Sequence, residues 1–104
     1  IPTPAPFLAG LAERCRTFGI LLIVDEVQSG FGRTGKMFAI EAHDVEPDML
    51  CMAKGIASGF PFAALGMRNS IDASWRVGSQ GGSASGNPIG CAAALATIDV
   101  VIGR

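Results

Sequence analysis

Charge is sparse in this chain. Asp, Glu, Lys and Arg make up 16% of its 104 residues, and eight basic against nine acidic side chains leave a net charge of −1. A polyanion or an anionic bilayer is held by a basic face, so neither nucleic acid nor a membrane is expected as a partner. Histidine occurs once, at His43, with no Cys or His at ligand spacing, and reads as surface or helix-end decoration. Cys15, Cys51 and Cys91 are odd in number, far apart and set in apolar neighbourhoods. That pattern excludes a disulfide framework and a zinc site, so no metal is expected and a reducing cytoplasm is the plain localisation. No apolar run approaches the roughly 20 residues that cross a bilayer. The chain opens at Ile1 without an initiator Met and stops at Arg104 within a helical pattern, so residues 1–104 are read as an internal piece of a longer protein.

Apolar residues, at 49%, are abundant. Phe7, Leu8, Leu11, Cys15 and Phe18 recur at helical spacing before Gly19, which predicts an amphipathic helix with a glycine stop. Ile20 to Val24 is an aliphatic run too short for a helix, and it predicts a strand buried on both faces of a parallel sheet. Ser29 to Lys36 holds Gly30, Gly32 and Gly35 and predicts a loop. A short helical segment over Met37–Ala42 and strands over Asp48–Ala53 and Phe62–Met67 follow. Asn87 and Pro88 then open a helix over the apolar run to Ile102, with Asn as N-cap and Pro at the first turn. This order predicts an α/β fold, mainly parallel sheet flanked by helices, with functional residues at strand ends.

Three features carry candidate chemistry. Asp25, at the end of the first strand, can cap the following turn or aim a charge into a ligand crevice. Glu26 beside it reads as the structural member of the pair, solvated or bonded to the glycine loop. Lys54 leaves the second strand between Ala53 and Gly55; it is either a surface lysine or an amine whose stem is enclosed, which favours a nucleophilic or imine-forming role. The Gly/Ser-rich loop from Gly78 to Gly86 is either a flexible connection or a cradle of backbone N–H groups and a serine hydroxyl for a phosphate. It lacks the Gly-Lys-Ser/Thr ending of a nucleotide P-loop. Trp75 reads as a packing residue.

Taken in order, Asp25-Glu26-Val27-Gln28-Ser29-Gly30-Phe31-Gly32-Arg33-Thr34-Gly35, Pro47-Asp48, Ala53-Lys54-Gly55 and Gly86-Asn87-Pro88 resemble the class III pyridoxal-phosphate aminotransferases, the ω-amino acid and 4-aminobutyrate aminotransferase group. The resemblance spans nearly the whole chain. It implies that residues 1–104 are a central part of the large cofactor-binding domain of a fold-type I aminotransferase, with no complete second domain present. It implies that Lys54 joins pyridoxal 5'-phosphate as a Schiff base, that Asp25 bonds the pyridine nitrogen, that Val27 packs on the ring face and that Gln28 reaches the phenolic oxygen. Ser83 stands as far beyond Lys54 as Lys54 stands beyond Asp25, where the family has a hydroxyl residue that binds the cofactor phosphate across a homodimer interface. The implied activity is transfer of an amino group from an ω-amino acid, amine or diamine to a 2-oxo acid. A PLP-dependent aminomutase or decarboxylase of the same fold, or a non-catalytic α/β remnant, is the alternative. Ser83, Ala84, Ser85 and Gln80 depart from the residues frequent in the family, and the arginines that select substrate carboxylates are expected outside the chain.

Overall fold

The computed structural model describes residues 3–83 and 85–103. Helix α1, Ala5–Phe18, opens after Pro4 with Pro6 in its first turn and ends on Gly19, whose φ of 64° is the left-handed conformation that glycine adopts at low cost. The N–H of Ile20 donates to the Cys15 carbonyl and seals that end. Ala12 and Cys15 form the buried stripe of α1 and pack on Leu22, with Leu11, Val24 and Val45 at the margin. Phe7 and Phe18 fit the helical spacing yet stand off this stripe and are exposed.

Strands β1 (Ile23–Asp25), β2 (Met49–Met52) and β3 (Ala64–Met67) form one sheet in the order β1-β2-β3. The first pair is parallel, with Ile23 opposite Met49 and Asp25 opposite Cys51. The second is antiparallel, with Met49 opposite Met67 and Met52 opposite Ala64. The α/β fold expected from the element order is present as a mixed sheet. Residues 26–48 are long enough to bring β2 back parallel to β1, whereas residues 53–63 hold only a short 3-10 helix and turn the chain directly back.

The first strand corrects the expectation for Ile20–Val24. It begins at Ile23, and within this chain only one face is covered: Leu22 is buried and Val24 half-buried against α1, while Ile23 on the opposite face is 55% exposed. β1 is the edge of this three-stranded sheet and alternates with the strand period of two. Asp48 ties the strand starts together. Its Oδ2 accepts from the Leu22 N–H at 2.8 Å, and its Oδ1 pairs with the Arg68 guanidinium at 3.3 Å. Arg68 also donates to the carbonyls of Glu46 and Pro47.

The expected segment after the glycine loop is a 3-10 helix, Ala39–His43, and a second one, Lys54–Ala57, follows β2. His43 ends the first, half-buried, with no hydrogen-bond partner for its Nδ1 among the described residues. The short helix α2, Asn69–Asp72, was not anticipated. Helix α3, Pro88–Val101, starts as its sequence dictates: Asn87 Oδ1 accepts from the N–H groups of Ile89 and Gly90 at 2.9 and 3.3 Å. A second core joins Phe31, Ile56, Ala57 and Ala94, holding α3 against the turn that begins at Lys54. The three cysteines are free, and no helix among the described residues is long and apolar enough to cross a membrane.

Candidate active site

The parallel register brings the two motifs to one edge of the sheet. Asp25 is the last residue of β1 and pairs with Cys51; β2 ends one residue later at Met52, and Lys54 follows Ala53. Both side chains thus leave the carboxyl ends of neighbouring parallel strands, the position where open α/β sheets bind ligands.

Each side chain is set there by its turn. Asp25 is exposed, and its Oδ1 accepts from the Val27 N–H at 2.9 Å. The turn-capping role is therefore real, and a carboxylate has a second oxygen with which to meet a ligand. The turn swings Val27 to a half-buried position and sends Gln28 outward, where its Oε1 accepts from Lys54 Nζ at 2.5 Å. Lys54 has φ of 47°, a left-handed conformation unusual for a side chain with a Cβ, and it diverts the chain out of β2. Such conformations cost about 1–3 kcal/mol and persist where surrounding packing imposes them. Here the packing is Gly55, where a Cβ would lie 3.2 Å from the Cβ of buried Phe31. The enclosure expected around Lys54 is not supplied by these residues, since the side chain is exposed at the sheet edge and, among the described residues, only Gln28 bonds its amine.

Glu26 is the structural member of the pair, and of its two expected settings the bond to the glycine loop is the one found. Far from being solvated, Glu26 is 1% exposed. Its Oε1 accepts from the Ile40 N–H at 2.8 Å, and its Oε2 accepts from the Ser29 hydroxyl. Its backbone N–H donates to the Cys51 carbonyl and its carbonyl accepts from Gly30. Glu26 is thus the internal brace of the turn that carries Asp25 and Gln28. Strand alternation was the signal that could have found it, because Glu26 shares the inward face with Leu22 and Val24.

Ser83 lies exposed on the Gly/Ser loop, and among the described residues no hydrogen bond joins it to Asp25, Gln28 or Lys54. The loop does contain a tight turn, with the Ser85 N–H donating to the Gly82 carbonyl at 3.0 Å. Ala84 lies outside the described residues.

The whole chain, residues 1–104, matches the family model for aminotransferase class III. The chain belongs to the class III aminotransferases. It is 44% identical over 100 residues to an acetylornithine aminotransferase of Archaeoglobus fulgidus, covering 96% of this chain and 27% of that protein. It is 50% identical over 95 residues to a 4-aminobutyrate aminotransferase of Mycobacterium leprae, covering 91% and 21%. Among solved structures, a taurine:2-oxoglutarate aminotransferase from Bifidobacterium kashiwanohense in complex with PLP and glutamate superposes with a TM-score of 0.91 at 39% identity, over 95% of this chain and 23% of that one. The chain therefore spans about a quarter of the length of the class III relatives it matches. Class III aminotransferases depend on pyridoxal 5'-phosphate. The fold-type I class and the enzyme family expected from the motifs are both borne out.

Proposed function

We propose that this chain is the central part, residues 1–104, of the PLP-binding large domain of a cytoplasmic aminotransferase that moves an amino group from an ω-amino acid, amine or diamine to a 2-oxo acid. The observation that carries the reading is the hydrogen bond between Lys54 Nζ and Gln28 Oε1 at the same sheet edge as Asp25. Free cysteines at three separated positions support the cytoplasmic part.

The donor set fits the cofactor. An amine, a carboxylate, a half-buried apolar side chain and a primary amide are gathered at one strand edge in Lys54, Asp25, Val27 and Gln28. When bound, PLP supplies a carbon that an amine can bond and a ring that accepts the electron pair of a breaking C–H bond. Asp25 would face the ring nitrogen with its free carboxylate oxygen and would favour a proton there by opposing its positive charge. Val27 offers an apolar wall to one ring face. Gln28 keeps Lys54 Nζ oriented and still has an amide N–H to donate. Lys54 would hold the cofactor through its Nζ, and its amine, when free, would take and return a proton at the reacting carbon of the substrate. Ser83, which among the described residues has no hydrogen bond to Asp25, Gln28 or Lys54, would reach the phosphate of a neighbouring subunit in a homodimer.

The test uses the intact protein that contains these residues. Borohydride reduction followed by peptide mapping is expected to leave a pyridoxyl group on Lys54. An unlabelled Lys54 in protein purified with PLP would leave the non-catalytic α/β reading, in which the Asp25 turn cap and exposed Lys54 are ordinary surface features.

A further inference from the structure

Resting on the transaminase reading above, we propose that Phe31 is a positioning residue for Lys54: through its contact with Gly55 it sets the backbone that presents the Lys54 amine to Gln28.

A lysine carries its amine on a long flexible stem, and Lys54 is exposed, so packing of the side chain does little to place Nζ. What is fixed is the backbone. With φ of 47°, Lys54 holds a conformation that surrounding packing has to impose, and in the right-handed or extended regions its Cβ would leave the chain in another direction. That packing arrives at the next residue. Gly55 has no left-handed φ, so glycine is needed there for space rather than for conformation. A Cβ on it would lie 3.2 Å from the Phe31 Cβ, 3.7 Å from the Gly30 carbonyl and 3.8 Å from Cδ2 of the Phe31 ring.

Phe31 can transmit position because both its backbone and its ring are held. Its φ is 59°, its N–H donates to the Met37 carbonyl at 2.7 Å, and the Gly30 N–H closes the preceding turn onto the Glu26 carbonyl at 2.9 Å. Phe31 is 9% exposed, its ring meets Phe38 edge-on with centroids 5.5 Å apart, and it shares a core with Ile56, Ala57 and Ala94. Gln28 lies within the turn that leads into Phe31, and Lys54 is the neighbour of Gly55. The Phe31–Gly55 contact therefore sets the separation of the two backbones whose side chains meet at 2.5 Å, Lys54 Nζ on Gln28 Oε1. Reactivity is steep in such a separation, since a misplacement of about 1 Å can cost on the order of 100-fold in rate.

The experiment strips the intact protein of cofactor and compares wild type with Gly55→Ala and Phe31→Leu. PLP joins an amine through its aldehyde carbon, releasing water; pyridoxamine phosphate has an amine in that place and binds without bonding Lys54. Two quantities are measured: the rate, at saturating PLP, at which a pyridoxyl label becomes trappable on Lys54 by borohydride, and the dissociation constant of pyridoxamine phosphate. Gly55→Ala adds a Cβ that pushes the two backbones apart by a few tenths of an ångström, and the capture rate is expected to fall about 3- to 5-fold. Phe31→Leu keeps a Cβ and an apolar side chain in the core but loses the ring that pins the loop, and capture is expected to fall about 10-fold. Affinity for pyridoxamine phosphate is expected to stay close to wild type in both. Unchanged capture in the two variants overturns the proposal. So does a loss of pyridoxamine phosphate affinity in proportion to capture, which makes Phe31 a residue of the fold alone. A labelled wild type with either of those results sinks only the Phe31 assignment; a wild type that acquires no label on Lys54 sinks the transaminase reading itself.

Discussion

Glu26 gives the sharpest test of how the site is held. Replacing it with alanine removes the acceptor for two donors in a position that is 1% exposed, the Ile40 N–H at 2.8 Å and the Ser29 hydroxyl. Hydrogen bonds to a charged group contribute about 1.5–3 kcal/mol each, and a buried donor left without a partner costs about 1–3 kcal/mol. Against this, Glu26→Ala also removes the cost of burying a carboxylate, so the net local loss is about 2–3 kcal/mol. Glutamine keeps the oxygen facing Ile40 and presents an amide N–H to Ser29, whose hydroxyl can rotate and accept; its loss is about 1 kcal/mol. The assay is amide hydrogen exchange on the intact protein, followed at Ile40. Local opening should rise about 30- to 150-fold in the alanine variant and about 5-fold in the glutamine variant. Unchanged protection of Ile40 in Glu26→Ala would refute the brace. Glutamine as damaging as alanine would refute the claim that acceptor geometry, rather than charge, holds the turn.

Two further outcomes follow from the same structure. Asp25→Ala should retain a reducible pyridoxyl linkage at Lys54 yet lower kcat by on the order of 10²–10³, the usual effect of removing one preorganised electrostatic partner; turnover within a few-fold of wild type removes Asp25 from the mechanism. Gly90→Ala places a Cβ 2.4 Å from Cδ2 of the Phe62 ring, so that either the ring or the first turn of α3 must shift, costing about 1–3 kcal/mol. A thermal melt unchanged from wild type would show that Phe62 moves aside freely.

The ends of the helices were legible from local sequence because their causes are local. Gly19 supplies a left-handed residue and Asn87 a side-chain oxygen whatever surrounds them. The motif order likewise determined the family, since Asp25, Gln28 and Lys54 need only be read along the chain. What the sequence left open was the environment of each side chain. An unbroken aliphatic run cannot say how many neighbours its strand will have; within residues 1–104 β1 has β2 alone beside it among the described residues, with Ile23 exposed. A carboxylate pair read along the strand names the inward member by alternation but not the partners that hold it. Strand alternation and the packing of Ala39–His43 decided that Glu26 is buried and Asp25 faces out. The meeting of Lys54 with Gln28, and of both glycine-rich turns on Phe31, depends on strand register and on a chain reversal after β2. Those are long-range contacts, and only the folded chain brings their members together.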